Sequence, residues 1–234
     1  MPVYRTRLAT NGNEGALFDD FMVTPSTSQT SGALNMIASV NGTSATVQGI
    51  TTPDASAIGV IQCVSGTTTT GRAFISTNSV VNIRFGGGVL TTTWRFQLPT
   101  LLDATEAGAI YIGFGDSVSA APTDGAYLYW DDTQTFFRAR TRNNSTETDT
   151  SFAVAPAAGT WYRIDITVNA AATSVAFSLT PAGGATTTVT NTANIPTESG
   201  RETTILAGII KSAGTTSRAL YLDYARLAWN GFSR

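Results

Sequence analysis

Apolar and polar residues alternate with a period of two along most of this chain. In the segment 160–190, TWYRIDITVNAAATSVAFSLTPAGGATTTVT, Tyr162, Ile164, Ile166 and Val168 fall on one side and Trp161, Arg163, Asp165 and Thr167 on the other. A strand with one buried face has this pattern. NAAAT and PAGG interrupt the alternation as turns, and Val175, Phe177 and Leu179 resume it, so a three-strand meander is predicted. VLTTTWRFQL sets Trp94, Phe96 and Leu98 on one side, AIYIGFG groups Ile110, Ile112 and Phe114, and RALYLDYARLAW puts Leu220, Leu222 and Tyr224 on one face. Only LLDATEAGA at 101–109 offers one or two helical turns.

Turn signals recur evenly at Asn11-Gly12, Asn41-Gly42, Gly86-Gly87-Gly88, Asp124-Gly125 and Gly183-Gly184. About a dozen or more short strands at this spacing predict an all-β protein, an antiparallel two-sheet sandwich. No linker divides the chain. The reading is an extended N-terminal arm over 1–17 and a single sandwich domain over 18–234, with TPSTSQTSG at 24–32 as a long loop.

The densest stretch is DGAYLYWDDTQTFFRARTRNN, 124–144, with five aromatics, three arginines and three aspartates in 21 residues. Alternation sets Tyr127 and Tyr129 against Leu128 and Trp130, and Phe136, Arg138, Arg140 and Arg142 against Phe137, Ala139 and Thr141. A hairpin turning at DDTQ is predicted, with one apolar face and one face of rings and guanidinium groups. An ordinary outer strand pair has the same look. As a binding face its candidates are Tyr127, Tyr129, Trp130, Arg138, Arg140 and Arg142, because Tyr and Trp rings stack on sugars and Arg donates to carboxylates and hydroxyls. The same residue types are enriched at protein interfaces.

Composition narrows the chemistry. Charged residues are 13% of the 234, and the net charge of −2 gives no pull towards nucleic acid. There is no histidine, which removes the commonest general base and metal ligand. Cys63 is the only cysteine, so an intrachain disulfide is excluded; it reads as a small apolar strand residue. Lys211, the only lysine, reads as a solvated strand end. No run has the length of a signal peptide, and none approaches the ~20 apolar residues that span a bilayer. The expectation is therefore a protein made in the cytoplasm, with no membrane insertion and no cofactor.

Two other constellations were weighed. Glu147 and Asp149 have the i, i+2 spacing that places paired carboxylates on one strand face, as glycoside hydrolysis requires, but they lie in a polar, turn-rich segment with no sign of the burial that a general acid needs. Asp116, Asp124, Asp131 and Asp132 cluster at predicted turns and are weak calcium candidates, although such residues more often cap turns.

The order of motifs resembles the concanavalin-like jelly-roll modules of tailed-bacteriophage virion structural proteins. The carriers are Gly113-Phe114-x-Asp116, Asp124-Gly-Ala-Tyr127, Trp161-Tyr162 with its strand, Val175-x-Phe177-x-Leu179, and Lys211-x-x-Gly214-Thr215-x-x-Arg218-x-Leu220-x-x-Asp223, with Asp19-Asp20-Phe21 upstream. The resemblance covers about residues 85–229. It implies a jelly roll in a virion. The first expectation is a non-enzymatic capsid decoration or cement protein that self-associates as a homo-oligomer, a trimer for instance, and clamps coat protein through the arm Pro2–Leu17. The alternative is a tail-borne module that binds tail proteins and a host surface glycan. The same fold also carries laminarinase-like glycosidases and legume-type lectins. The Glu-x-Asp-x-x-Glu strand of the former and the histidine of the latter's metal site are both missing here.

Overall fold

A computed structural model describes residues 8–10, 14–22, 24–29, 31–51, 57, 59–77 and 82–232. Its strands form two sheets in which every described pairing between strands is antiparallel. In chain order the strands are β1 (Leu8–Thr10), β2 (Glu14–Asp19), β3 (Met36–Asn41), β4 (Thr46–Ile50), β5 (Val60–Val64), β6 (Arg72–Thr77), β7 (Val89–Gln97) and β8 (Gly108–Gly115). They continue with β9 (Gly125–Asp131), β10 (Arg138–Asn143), β11 (Thr146–Ser151), β12 (Trp161–Val168), β13 (Val175–Pro181), β14 (Thr187–Asn191), β15 (Thr204–Lys211) and β16 (Ala219–Asn230). The seven-stranded sheet runs β11-β10-β9-β8-β15-β6-β3. The nine-stranded sheet runs β1-β2-β16-β7-β12-β13-β14, with β5 joined to β16 and β4 to β5.

The alternation read from the sequence is what buries the core. Trp94 and Phe96 of β7, Tyr162, Ile164 and Ile166 of β12, and Phe177 and Leu179 of β13 point from one sheet at Ile110, Ile112, Phe114 and Leu128 of the other. Phe96, Phe137 and Tyr162 form an aromatic knot, with ring centroids 5.0–5.8 Å apart. Such ring pairs add about 0.5–1.5 kcal/mol each beyond the area they bury.

The structure departs from the sequence reading at four places that bear on function. Residues 101–107 hold no helix; the Asp103 carboxylate accepts the Thr105 and Glu106 amides at 2.8 and 2.9 Å, and this turn competes with helical hydrogen bonding. Tyr224 does not share a face with Leu220 and Leu222. A bulge between Leu222 and Tyr224 shifts the phase, so Tyr224 turns outward against Phe18 while Ala225 and Leu227 continue inward. Glu14–Leu17, read as part of a free arm, lie in β2, which is paired with β1 on one side and β16 on the other. Leu8–Thr10 of the proposed clamp form β1, and its residues 2–7 and 11–13 lie outside the described residues. Finally, Trp130 points into the core, as the opposite phase to Tyr129 demands, and its Nε1 donates to the Gln134 carbonyl at 2.8 Å.

Candidate functional site

The outward face of the seven-stranded sheet is the unusual surface of this molecule. Cross-strand register puts Phe74, Gly208, Tyr111, Tyr129 and Arg138 in one row, and Leu206, Gly113, Tyr127, Arg140 and Asp149 in the next. Gly208 is required, since a Cβ there would stand 2.3 Å from the Phe74 ring. With nothing above Gly208, Phe74 lies across it and meets Tyr111 at 6.3 Å; Tyr111 meets Tyr129 at 5.4 Å and Tyr127 at 5.7 Å.

Half of this face is roofed. Residues 117–123, between β8 and β9, fold back as a strap, packing Val118 and Ala121 on the rings. Arg72 donates to the Val118 carbonyl from one side at 3.2 Å, and Arg142 to the Pro122 carbonyl from the other at 2.8 Å. Asp116 closes the strap by accepting from Thr123 and the Asp124 amide. Tyr127 is consequently fully buried and joins the strap through its hydroxyl. Two of the six residues read as a binding face, Tyr127 and Arg142, thus hold the strap, and Trp130 is in the core.

Arg138 and Arg140 are also committed. Asp149 pairs with Arg138 at 3.1 Å and Arg140 at 2.9 Å, while Glu147 pairs with Arg140 at 3.2 Å. Arg140 also lies 3.8 Å over the Tyr129 ring. The carboxylates Glu147 and Asp149 do share a face, as their spacing predicts, but guanidinium groups surround them.

Beyond the strap the face opens into a cavity of about 340 Å³ between the ends of β8, β9 and β15. Tyr111 and Tyr129 form its walls, Ala109 and Ile210 its floor, and Asp131, Asp132 and Thr133 its rim. The Tyr129 hydroxyl donates to Asp131 Oδ2; Asp131 Oδ1 accepts from Thr133 N at 2.9 Å and its hydroxyl at 2.7 Å. Burial acts to raise Asp131, but these bonds outweigh it and hold the carboxyl below its usual range. Burial, reinforced by Tyr127, pushes Tyr111 up to about 12, and burial with the Asp131 bond raises Tyr129, so both are neutral phenols at physiological pH. Asp132 Oδ1 accepts the Gly108 amide at 2.9 Å.

The four aspartates weighed for calcium are thus spent on backbone and side-chain hydrogen bonds, and Asp124 pairs with Arg201 at 3.0 Å. Among the described residues no three His, Cys, Asp or Glu side chains converge as a metal site.

Lys211 departs most from expectation. It is fully buried, pairs with Glu106 at 3.1 Å and donates to the Thr216 carbonyl at 2.8 Å. Glu106 also accepts the Thr215 and Thr216 amides. Burial acts to raise Glu106, but the Thr216 amide and Lys211 overcome it and bring the carboxyl to about 2. Gly214, at φ +82°, lets the 212–218 loop pass where a Cβ would strike Glu106 Oε2, and Arg218 ties the loop to the Leu101 carbonyl and Asp103. The Lys211-to-Asp223 motif is therefore a structural staple, completed by the Asp223–Arg95 pair.

The sequence reading missed Tyr111 and Ile210. The alternation that grouped Ile110, Ile112 and Phe114 already puts Tyr111 on the other face. Ile210 reaches the site only because β15 inserts between β6 and β8, which local pattern does not reveal.

A second depression, of about 360 Å³, lies where β2, β7 and β16 end. Its lining has one ring, Trp229, with Glu14 and Arg226 of opposite charge, so it offers neither paired rings nor an excess of one sign.

Solved structures support the architecture. The protein of unknown function SO2946 from Shewanella oneidensis MR-1 superposes with a TM-score of 0.75 at 20% identity, over 99% of this chain and 92% of that one. Peanut lectin, in complex with a 9-mer peptide, matches with a TM-score of 0.64 at 10% identity, over 94% and 99% of the two chains. The endo-1,3-beta-glucanase from Streptomyces sioyaensis matches at 0.56 and 11% identity, over 95% and 99%. The fold is thus the concanavalin A-like lectin and glucanase jelly roll. No curated protein matches the sequence. The family model of the SO2946-like C-terminal domain matches residues 56–223, well over half the chain, and the chain belongs to that family.

Proposed function

We propose that this protein is a non-enzymatic recognition module that binds carbohydrate in the cavity walled by Tyr111 and Tyr129. The observation that carries this reading is the geometry of that cavity: two phenol rings, a hydrogen-bonded carboxylate and the Thr133 hydroxyl converge on one concave space. Rings supply faces for the C–H surface of a sugar, and the polar rim supplies partners for its hydroxyls. The arginine-bound state of Glu147 and Asp149 supports binding over hydrolysis. A soluble oligosaccharide panel tested by calorimetry, with product analysis of the same mixtures, decides it. The reading predicts binding without cleavage, weakened at least tenfold by Tyr111→Leu. Absence of binding to every oligosaccharide would overturn it.

The virion role is a second proposal, supported by the motif order and by one surface. Phe18, 43% exposed, lies against Tyr224 on the outer face of the nine-stranded sheet, and Met22 nearby in sequence is 73% exposed. Phe18 with Tyr224 gives an exposed apolar contact point suited to coat or tail protein or to a second copy. The staple residues of the motif order act in folding, so that order speaks more strongly for the jelly roll than for a place in a particle. Binding of the recombinant protein to purified empty phage heads tests this role, and no binding at micromolar concentration would count against it.

A further inference from the structure

Seven carboxylates of this molecule are held in ion pairs among the described residues; Asp116, Glu198 and Glu202 are among the described ones that are not. Asp103, Glu106, Asp124, Glu147, Asp149, Asp165 and Asp223 each pair with an arginine or lysine within 4 Å. Asp131 and Asp132, consecutive at the rim of the tyrosine cavity, form no ion pair among the described residues, and no basic side chain lines the cavity. Arg140, whose guanidinium lies over the Tyr129 ring, is held outside the cavity by Asp149 and Glu147, which also bind Arg138 and Arg142. The cavity therefore carries two carboxylates that form no ion pair among the described residues, beside two electron-rich rings.

We propose that the ligand of this cavity bears an ammonium group, and that the sugar recognised is an amino sugar with a free amine. The inference rests on the carbohydrate reading and narrows it. An ammonium gains from the ring of Tyr111 and from the carboxylate charge at once, while Arg140 already lies over Tyr129. A neutral hydroxyl gains less, because Asp131 already accepts from Tyr129 and Thr133 at both oxygens. Its acceptor sites are largely used, while its charge is not. The same charge disfavours uronic acids and sulfated sugars.

Calorimetry with three probes of equal length tests this: oligomers of glucosamine, of N-acetylglucosamine and of glucose, at pH 6 and low salt, where the free amine is protonated. The expected result is glucosamine-oligomer affinity roughly tenfold or more above the other two, reduced by added salt. Asp132→Asn, an isosteric change at the rim, should lower that preference severalfold and leave the circular dichroism spectrum unchanged. Equal affinity for the three oligomers would overturn the ammonium inference while the carbohydrate reading stands. No binding of any of them, with none in the wider panel, would overturn both. Preferential binding of a lysine-rich peptide over the glucosamine oligomer would overturn the sugar class. An undiminished preference in both Asp132→Asn and Asp131→Asn would move the site elsewhere and overturn the assignment.

Discussion

Two acidic clusters lie side by side at one end of the seven-stranded sheet, and they are built to opposite ends. Glu106, just before β8, is closed: a lysine, two amides and a loop threaded through Gly214 leave it no further partner. Asp131 and Asp132, at the end of β9, border a cavity that shares Ala107 and Gly108 with the same segment, and among the described residues neither forms an ion pair. The contrast teaches how to separate a charge that builds a fold from one that serves a partner. A buried carboxylate with its hydrogen bonds and its counter-charge complete belongs to the structure. One with hydrogen bonds complete and charge unanswered, at the mouth of a ring-lined cavity, is available to a ligand.

The largest effect that would sharpen this comparison is on the closed cluster. Lys211→Ala leaves Glu106 with no counter-charge in a place water barely reaches, and the thermal midpoint should fall by about 10 °C. Differential scanning fluorimetry reads this directly, and an unchanged midpoint would mean the pair is incidental. The acid linkage of the same cluster comes next. The folded pKa of Glu106 is depressed from 4.5 to about 2, so its contribution is fully present above the unfolded value and lost as pH falls from about 4.5 through 2. Wild type and Glu106→Gln should therefore differ in urea midpoint at pH 6 and converge towards pH 2. A gap that stays constant would contradict the linkage.

The open cluster should behave in the reverse sense. Asp132→Asn should move the thermal midpoint by no more than about 2 °C while removing most of the preference for an ammonium-bearing ligand. That preference should also fade as acid protonates Asp131, below the usual carboxylate range because its folded pKa is lowered. The smallest effect concerns the strap. Arg72→Ala removes one of its two guanidinium ties, and hydrogen exchange in residues 117–123 should quicken severalfold with little change in global stability.

How far the sequence could be read follows the same physical division. Alternation sees one strand at a time. It found the meander β12–β14, the hairpin β9–β10 and the core faces of β7 and β8, because burial on one side is a local constraint. It failed at Tyr224, where one extra residue in a bulge inverted the phase, and at Asp103, where a side-chain-capped turn imitates a short helix. It could not see Lys211 as buried, since the partner that makes burial tolerable is more than a hundred residues earlier in the chain. The candidate site was legible only in part. Tyr129 stands out because it lies in a conspicuous stretch, whereas Asp131 looks from the sequence like a turn residue or a calcium ligand. Tyr111 was hidden among isoleucines, and Tyr127 and Arg142 looked free because nothing in their own strands reveals the strap that covers them.

The central claim is that the cavity between Tyr111 and Tyr129 is where this protein meets its ligand. Backbone amide shifts of the isotopically labelled protein, followed by nuclear magnetic resonance as glucosamine oligomer is added, test it most directly. The account predicts perturbations concentrated in residues 107–111, 129–133 and 210–212, and much smaller with a glucose oligomer at the same concentration. Perturbations centred on the outer face of the nine-stranded sheet, or none at all, would contradict it.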